Sequence, residues 1–215
     1  MLSAGSAEGQ SADAGRDSSK AVEPRGAYAI WTTSAKGQPL ATRFGARHDR
    51  ALFFIGVQKY WPIRSNPTGG TTLEYSVDLL PLVVSTAMPT YYDQFGPCGE
   101  SLTCLQRATA SELHTAYGFG AMPIGFIARV PVTHRLDLQF RLSGGALYFS
   151  RVIPDPAGRR FNFVADGGAG VGYRIASDLA LTAGLRLNHI SNGNTGHVNP
   201  GMNSVMTEIG LAFPR

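Results

Sequence analysis

Residues 136–143 read Leu-Asp-Leu-Gln-Phe-Arg-Leu-Ser, and residues 179–188 read Leu-Ala-Leu-Thr-Ala-Gly-Leu-Arg-Leu-Asn. In both stretches every second position is apolar, and the positions between them are mainly polar, charged or glycine. Because successive side chains of a β-strand point to opposite faces, this period of two predicts strands with one apolar and one polar face. Residues 203–213 repeat the pattern up to the near-terminal aromatic Phe213.

The rest of the chain divides into segments of the same kind, separated by Gly, Pro, Asn and Asp. Residues 26–34 extend or precede the first of them. We predict strands at 40–48, 51–62, 71–85, 114–130, 135–150, 159–174, 179–192 and 203–213. The fold class is therefore all-β, and the architecture is an eight-stranded antiparallel up-and-down transmembrane β-barrel over residues 25–215.

The orientation of the barrel is decided by its polar faces and its connections, because alternation alone also fits a soluble barrel with an apolar interior. The polar faces mix both charge signs with many glycines, as a narrow interior lined by salt bridges requires. Short connections at 63–70, 131–134 and 175–178 alternate with long ones at 86–113, 151–158 and 193–202, which is typical of outer-membrane barrels. We therefore expect apolar side chains to face lipid in a bacterial outer membrane.

Composition limits the other classes of function. The 215-residue chain has a formal net charge of +4, and its arginines are scattered along the sequence, so we expect no nucleic-acid partner. It contains no run of about 18 apolar residues, which a transmembrane helix would need. The glycine-rich run Gly167, Gly168, Gly170 and Gly172 lies inside a strand pattern and indicates a crowded lumen, since no helix follows to make a nucleotide loop.

The start of the chain and the two cysteines concern the export of the protein from the cytoplasm. Residues 1–24 are mostly small and polar, and we expect a disordered segment there. It has no basic, apolar signal pattern, so we expect the sequence to begin within or after its signal. Cys98 and Cys104 lie close together in a long loop, where a small disulfide suits an oxidising compartment and two free thiols are the alternative.

The chemistry-bearing motif is His189-Ile-Ser191-Asn192-Gly-Asn at the end of the seventh strand. By parity His189 and Ser191 continue the outward leucine face, with Cα atoms about 6.6 Å apart, two strand steps. An imidazole within reach of a hydroxyl is an activated-nucleophile arrangement. On a lipid-facing surface, such a pair indicates a substrate that is itself in the membrane. The alternative without a catalytic role is a strand end that enters a polar turn.

The His-x-Ser-Asn motif near the end of the penultimate strand resembles the outer-membrane lipid A 3-O-deacylases, the PagL-like acyloxyacyl hydrolases. The resemblance implies that His189 is the general base and Ser191 the nucleophile, and that a glutamate on the last strand orients the histidine. At the corresponding position this chain has Asn203, which shares the outward face. Glu208 lies on the opposite, lumenal face of that strand. Asn192 is a candidate for the oxyanion hole.

The function predicted from this resemblance is a serine esterase that hydrolyses an acyl ester of lipid A without cofactor or metal. Its partners would be lipopolysaccharide and the surrounding outer-membrane lipids. The sequence leaves open whether the protein forms a homodimer. Arg151, Arg159 and Arg160 flank an outer loop and are candidates for binding lipid A phosphates, or are ordinary rim charges. Two other classes of function remain: a non-catalytic barrel that anchors or adheres, and a soluble calyx that binds a lipophilic ligand.

Overall fold

A computed structural model describes residues 27–35, 50–64, 70–87, 115–154, 158–196, 199 and 201–213. The predicted N-terminal segment 1–24 and the pair Cys98 and Cys104 lie outside the described residues. Within those residues no helix is long and apolar enough to cross a membrane.

Eight antiparallel strands form one closed barrel within the described ranges. Each strand pairs with the next one along the chain, and β1 closes the barrel by pairing with β8. Closure gives every strand two hydrogen-bonded neighbours, so no sheet edge is left open. The strands are β1 Ala27–Ala35, β2 Arg50–Arg64, β3 Thr72–Ala87, β4 Ala116–Pro131, β5 Leu136–Ile153, β6 Arg159–Ala176, β7 Leu179–Ser191 and β8 Met202–Phe213.

The predicted fold class is confirmed, but the first strand of the barrel is not the predicted 40–48. The strand that closes the barrel is Ala27–Ala35, a stretch that the sequence pattern treated as an extension of the first strand or as a segment before it. Its inward side carries Ala27, Ala29, Trp31 and Thr33, all buried. The alanines make this face weakly apolar, so the strand has little of the contrast that marks β5 and β7. Residues 40–48 themselves lie outside the described residues.

The outer surface of the barrel is apolar. Leu142 on β5 and Leu187 on β7 are 67% and 64% exposed, and large apolar side chains on the other strands also face outward. An exposed apolar belt of this extent is unfavourable in water and matches the hydrocarbon of a bilayer. The soluble calyx is therefore excluded, since it needs the reverse orientation.

Aromatic side chains border this apolar belt at two levels. At the short-turn end Trp61 stacks on Tyr75, and Lys59 lies 4.9 Å from the Trp61 ring centroid. At the long-loop end Phe161 and Phe163 meet edge to face at 5.3 Å. On β6, Phe163 and Tyr173 are about ten residues apart, or about 33 Å along the strand. At a tilt of about 40° this spans about 25 Å, the height of the apolar band in an outer-membrane barrel.

A charged layer fills the middle of the lumen. Arg186 bonds Asp166 at 3.1 Å and also bonds Glu208, while Arg141 donates to both oxygens of Glu208 at 2.9 Å. The Arg186 guanidinium lies 3.9 Å from the Trp31 ring centroid. Paired in this way, charges that would be costly in hydrocarbon are compensated inside the barrel. The charged layer comprises Asp78, Arg141, Asp166, Arg186 and Glu208.

Above the charged layer, toward the long loops, large apolar side chains dominate the interior, although polar groups such as Arg50 and Asn162 are also buried there. Sequence alternation predicted a polar lumen throughout, but Leu52, Phe54, Phe149, Ile190 and Met202 point inward and are at most 2% exposed. They belong to one continuous cluster, which we call the apolar cap. The cap seals the lumen beneath the long loops. At the other end, a cavity of about 330 Å³ opens among the short turns.

The glycines of β6 divide between the two faces of the barrel. Gly168, Gly170 and Gly172 point inward, and an ideal Cβ at Gly168 would lie 2.4 Å from the Leu185 carbonyl oxygen. For these glycines the predicted crowding is correct, although at Gly168 the neighbouring backbone causes it. Gly167 instead lies on the outer face, where a Cβ would lie 2.9 Å from the tip of Leu142 and at an ordinary 3.8 Å from the Arg141 carbonyl oxygen. Lumen crowding therefore does not account for Gly167.

Replacing Arg186 by Met should lower the free energy of unfolding by about 3–5 kcal/mol, because Asp166 and Glu208 would lose a buried cationic partner. Urea unfolding in detergent micelles measures the change. The matched control is Arg174→Met at the exposed short-turn end. Equal stability of the two variants would contradict a structural role for the charged layer.

Candidate active site

The candidate site lies where β7 ends and β8 begins, on the outer wall of the barrel. His189 is exposed and pairs in register with Asn203 of β8, while Phe163 of β6 pairs with Ser191. Since Phe163 belongs to the aromatic level at the long-loop end, the site stands at the upper edge of the apolar belt. A bound molecule would reach it sideways from the membrane.

The His189 ring is held by a contact with Asn203. Its Nδ1 lies 2.6 Å from the Asn203 Oδ1. An amide oxygen accepts hydrogen bonds and does not donate them, so this contact requires the hydrogen of the neutral ring on Nδ1. Nε2 then carries the lone pair and is the nitrogen able to accept a proton.

Gly201 leaves room for the imidazole. An ideal Cβ on Gly201 would lie 3.1 Å from Cε1 and 3.8 Å from Nε2 of His189. The last registered pair of the hairpin is Ile190 with Met202, so Gly201 is one step further toward the loop, level with Ser191. The side of the ring that bears Nε2 therefore extends toward the level of the serine. Sequence reasoning missed Gly201, although its place two residues before Asn203 was a usable signal.

Ser191 is the last residue of β7 and has a side chain on the same face as His189. It is 9% exposed, which is less than its place on the outer face of the strand predicts. Among the described contacts, the hydrogen bond of the His189 ring goes to Asn203 and none joins it to Ser191. Catalytic hydrogen bonds are often long without substrate and shorten in the complex. The lack of a hydrogen bond between His189 and Ser191 is therefore compatible with a base and nucleophile pair.

Asn192 organises the turn that follows Ser191. Its backbone N–H donates to Asn199 Oδ1 at 3.0 Å, and its own Oδ1 accepts from the Asn194 N–H at 3.0 Å. Gly193 and Asn194 both have a φ of 61°, the left-handed conformation that suits these residue types. Because the loop uses the backbone N–H of Asn192, any oxyanion donor from this residue would be its side-chain amide. That role stays a prediction.

The predicted arginines lie at the same end of the barrel as the site. Arg151, Arg159 and Arg160 are all exposed. The Arg159 guanidinium donates to the Thr195 carbonyl oxygen at 3.4 Å, which links it to the loop after Asn192. Phosphate binding by these side chains stays a prediction. Glu208, by contrast, faces the lumen and bonds Arg141 and Arg186, as its parity predicted.

Comparison with protein-family models decides the relationship of the chain. The model described as lipid A 3-O-deacylase (PagL) matches residues 84–212. The chain belongs to the lipid A 3-O-deacylase family. The matched range contains His189, Ser191 and Asn203, and the resemblance drawn from the motif is confirmed at the level of the family. This lipid A 3-O-deacylase family member is accordingly a barrel of the bacterial outer membrane from a family of hydrolases.

Solved structures share the barrel fold. The outer membrane enzyme PagL aligns with a TM-score of 0.53 at 11% identity, over 87% of this chain and 99% of that chain. Neisserial surface protein A aligns with a TM-score of 0.50 at 13% identity, over 88% of this chain and 97% of that chain. Among curated protein sequences none matches significantly. At these identities the structural likeness concerns the fold alone.

The Asn203 contact predicts the tautomer of His189. In the wild-type protein, ring-nitrogen NMR shifts of the neutral imidazole should show hydrogen on Nδ1 and a bare Nε2. Asn203→Ala should weaken this preference, because the acceptor is lost. Loss of the signals in His189→Gln assigns them. Hydrogen on Nε2 in the wild-type protein would contradict the geometry.

Proposed function

We propose that the protein hydrolyses an acyl ester of lipid A, the 3-O-linked chain in line with its family, by a serine and histidine mechanism. The observation that carries the proposal is the outward His189, held through Nδ1 by Asn203 and extending toward the level of Ser191. This is the base and orienting residue of a triad, next to a hydroxyl that can serve as nucleophile.

In the acylation step, the Ser191 oxygen attacks the ester carbonyl carbon while His189 Nε2 takes the hydroxyl proton. The tetrahedral intermediate then collapses, the bond from carbonyl carbon to sugar oxygen breaks, and the imidazolium returns its proton to that oxygen. A water molecule attacks the acyl-serine with the same base. The products are a free fatty acid and lipid A with one hydroxyl in place of an ester.

The height of the site fits this substrate. In lipid A the acyl esters join the sugar headgroup to the hydrocarbon chains, so they lie at the upper boundary of the apolar layer. Ser191 pairs with Phe163, which marks that boundary on the barrel. Arg159 contacts the loop beside the site and, with Arg151 and Arg160, could attract the phosphates of the headgroup.

Asn203 supports this proposal in part and sets a limit on rate. Its oxygen can hold the imidazole in the required tautomer and orientation, as in Cys-His-Asn enzymes. It carries no negative charge, so the imidazolium formed during each step gains less stabilisation than beside a carboxylate. We therefore expect hydrolysis to be slow for a site of this geometry.

Ser191→Ala should abolish deacylation, with a loss of about three orders of magnitude or more in rate, because the nucleophile is removed. Mass spectrometry of lipid A from expressing cells should show the loss of one acyl chain with the wild-type protein and intact lipid A with the variant. Ser150→Ala is a matched control, since that exposed hydroxyl lies on β5 and accepts only a backbone N–H of Tyr117 in the described contacts.

A second class of function is decided by the same experiment. If wild-type and Ser191→Ala proteins are both inserted and leave identical lipid A masses, the chain is a non-catalytic barrel that anchors or adheres. The observation that favours a non-catalytic barrel is the absence of a carboxylate at Asn203.

Asn203→Glu should raise kcat by about tenfold or more. The upper limit is roughly 10⁴-fold, the loss of kcat in a serine protease whose triad aspartate is replaced by asparagine. The acidic limb of the kcat/KM profile should also move to higher pH, because a neighbouring carboxylate favours the protonated imidazole and the reaction needs the neutral one. Asn203→Gln is the uncharged control. A folded Glu variant no more active than the Gln variant would place the orienting residue elsewhere.

A further inference from the structure

Lys59 of β2 places a positive charge on the apolar outer wall of the barrel. Its neighbours in sequence, Gln58 and Tyr60, point into the lumen and are buried, so Lys59 itself faces outward, where it is half-buried. The other lysines and arginines of the described strands point into the lumen or lie within a few residues of a strand end. A charge in contact with hydrocarbon is strongly unfavourable, so the Lys59 ammonium group needs a compensating partner.

Two aromatic rings contact this ammonium group. Tyr28 of β1 pairs in register with Lys59, and the Lys59 Nζ lies 5.2 Å from the Tyr28 ring centroid. The same Nζ lies 4.9 Å from the ring centroid of Trp61, which in turn stacks on Tyr75 of β3. A cation over the face of an aromatic ring is attracted by the ring quadrupole. The two rings therefore hold the ammonium group at a defined place on the outer wall.

The Lys59 side chain leans toward the short-turn end of the barrel. Trp61 is two residues nearer that end than Lys59, and the ammonium group contacts its ring. A lysine near a membrane boundary bends in this way, with its stem in hydrocarbon and its charge at the level of the headgroups. The short turns of an outer-membrane barrel are periplasmic. The charge of Lys59 therefore lies at the headgroup level of the periplasmic leaflet, which consists of phospholipids.

The described side chains do not neutralise Lys59. Its contacts among the described residues are with the two rings, and none of them is an ion pair with a carboxylate. Its partner on β3 is Val77, and the carboxylate that follows, Asp78, is fully buried in the lumen. An ammonium group has three N–H donors, so two ring contacts leave at least one donor for an acceptor outside the protein.

We propose that Lys59, Tyr28 and Trp61 form a binding site for the phosphate of an anionic phospholipid in the periplasmic leaflet. The Lys59 ammonium group donates to a phosphate oxygen. The indole N–H of Trp61, which has no acceptor among the described residues, is a second donor within reach of the same phosphate. The acyl chains of the lipid then lie along the apolar wall above, beside Val57 and Val77. The site involves neither His189 nor Ser191, so it is independent of the proposed hydrolysis.

The absence of an acidic partner makes the site selective for a net negative headgroup. Phosphatidylethanolamine carries its own ammonium group, which competes with Lys59 for the phosphate. Phosphatidylglycerol carries no cation, so Lys59 is its counter-charge. One lysine near an anionic lipid surface changes the binding constant by about fivefold. We therefore expect a preference of about that size for phosphatidylglycerol.

Native mass spectrometry of the full chain in detergent micelles measures this preference. The protein is titrated with phosphatidylglycerol or phosphatidylethanolamine of the same acyl chains. Lys59→Gln removes the charge, and Lys59→Arg keeps it. Arg64→Gln is the matched control, because it removes an exposed charge at the short-turn end of the same strand that has no described aromatic contact. Heat-dependent mobility in gel electrophoresis confirms that each variant is folded.

The wild-type protein, Lys59→Arg and Arg64→Gln should bind the first phosphatidylglycerol about fivefold more tightly than phosphatidylethanolamine. Lys59→Gln should bind the two lipids equally. An unchanged preference in Lys59→Gln would overturn the site, and so would an equal loss in Arg64→Gln, since general surface charge would then explain the binding. Inorganic phosphate should not displace the lipid, because it lacks acyl chains to contact the wall. Displacement would overturn the assignment to a phospholipid.

A second measurement locates the bound lipid. The chain has two tryptophans, and Trp31 is buried in the lumen at 2% exposure, so quenching by membrane lipids reports on Trp61. Vesicles contain equal amounts of phosphatidylglycerol and phosphatidylethanolamine, with bromine on the upper acyl chain of one lipid or of the other. Quenching should be stronger when phosphatidylglycerol carries the bromine, and Lys59→Gln should make the two preparations equal. Equal quenching in the wild-type protein would contradict an enriched anionic lipid beside Trp61.

Discussion

A buried guanidinium determines how this barrel is assembled. Arg186 bonds Asp166 on β6 and Glu208 on β8 and lies against Trp31 of β1, so it joins four strands through one side chain. Leaving Arg186 on the lipid side would be costly, since charges in the hydrocarbon core are strongly unfavourable. The direction of Arg186 sets the parity of β7: Leu187 faces out, Asn188 faces in, and His189 faces out. The position of the candidate base on the membrane side thus follows from an ion pair inside the lumen.

The apolar cap gives the site its support. Ile190 lies between His189 and Ser191 in sequence and points inward at 1% exposure, while Met202 faces it from β8 at the same exposure. Packing of these two side chains in the sealed interior fixes the hairpin ends from behind. The imidazole and the hydroxyl are therefore mounted on a rigid wall rather than on the long loop, which favours a defined geometry for chemistry.

Prediction from sequence succeeded where one face of a strand was strongly apolar and the other strongly polar. On β5 and β7 the alternation indicated both strand and orientation, and the family resemblance together with parity placed Asn203 on the same outward face as His189. It failed for β1, whose inward alanines give little contrast. It also missed the apolar cap, because Leu-Phe-Phe-Ile at 52–55 is apolar on both faces and conceals which residues turn inward. The contact of Arg159 with Thr195 and the clearance at Gly201 depend on loop conformation, which residue patterns do not encode.

The sealed lumen has a consequence for the cell that carries this protein. Across the described strands, buried side chains of the apolar cap and the charged layer occupy the lumen above the cavity at the short-turn end. Water and dissolved ions would have to displace these buried side chains to pass. Abundant copies in the envelope would therefore leave its permeability to small solutes unchanged, unlike an equal number of porins.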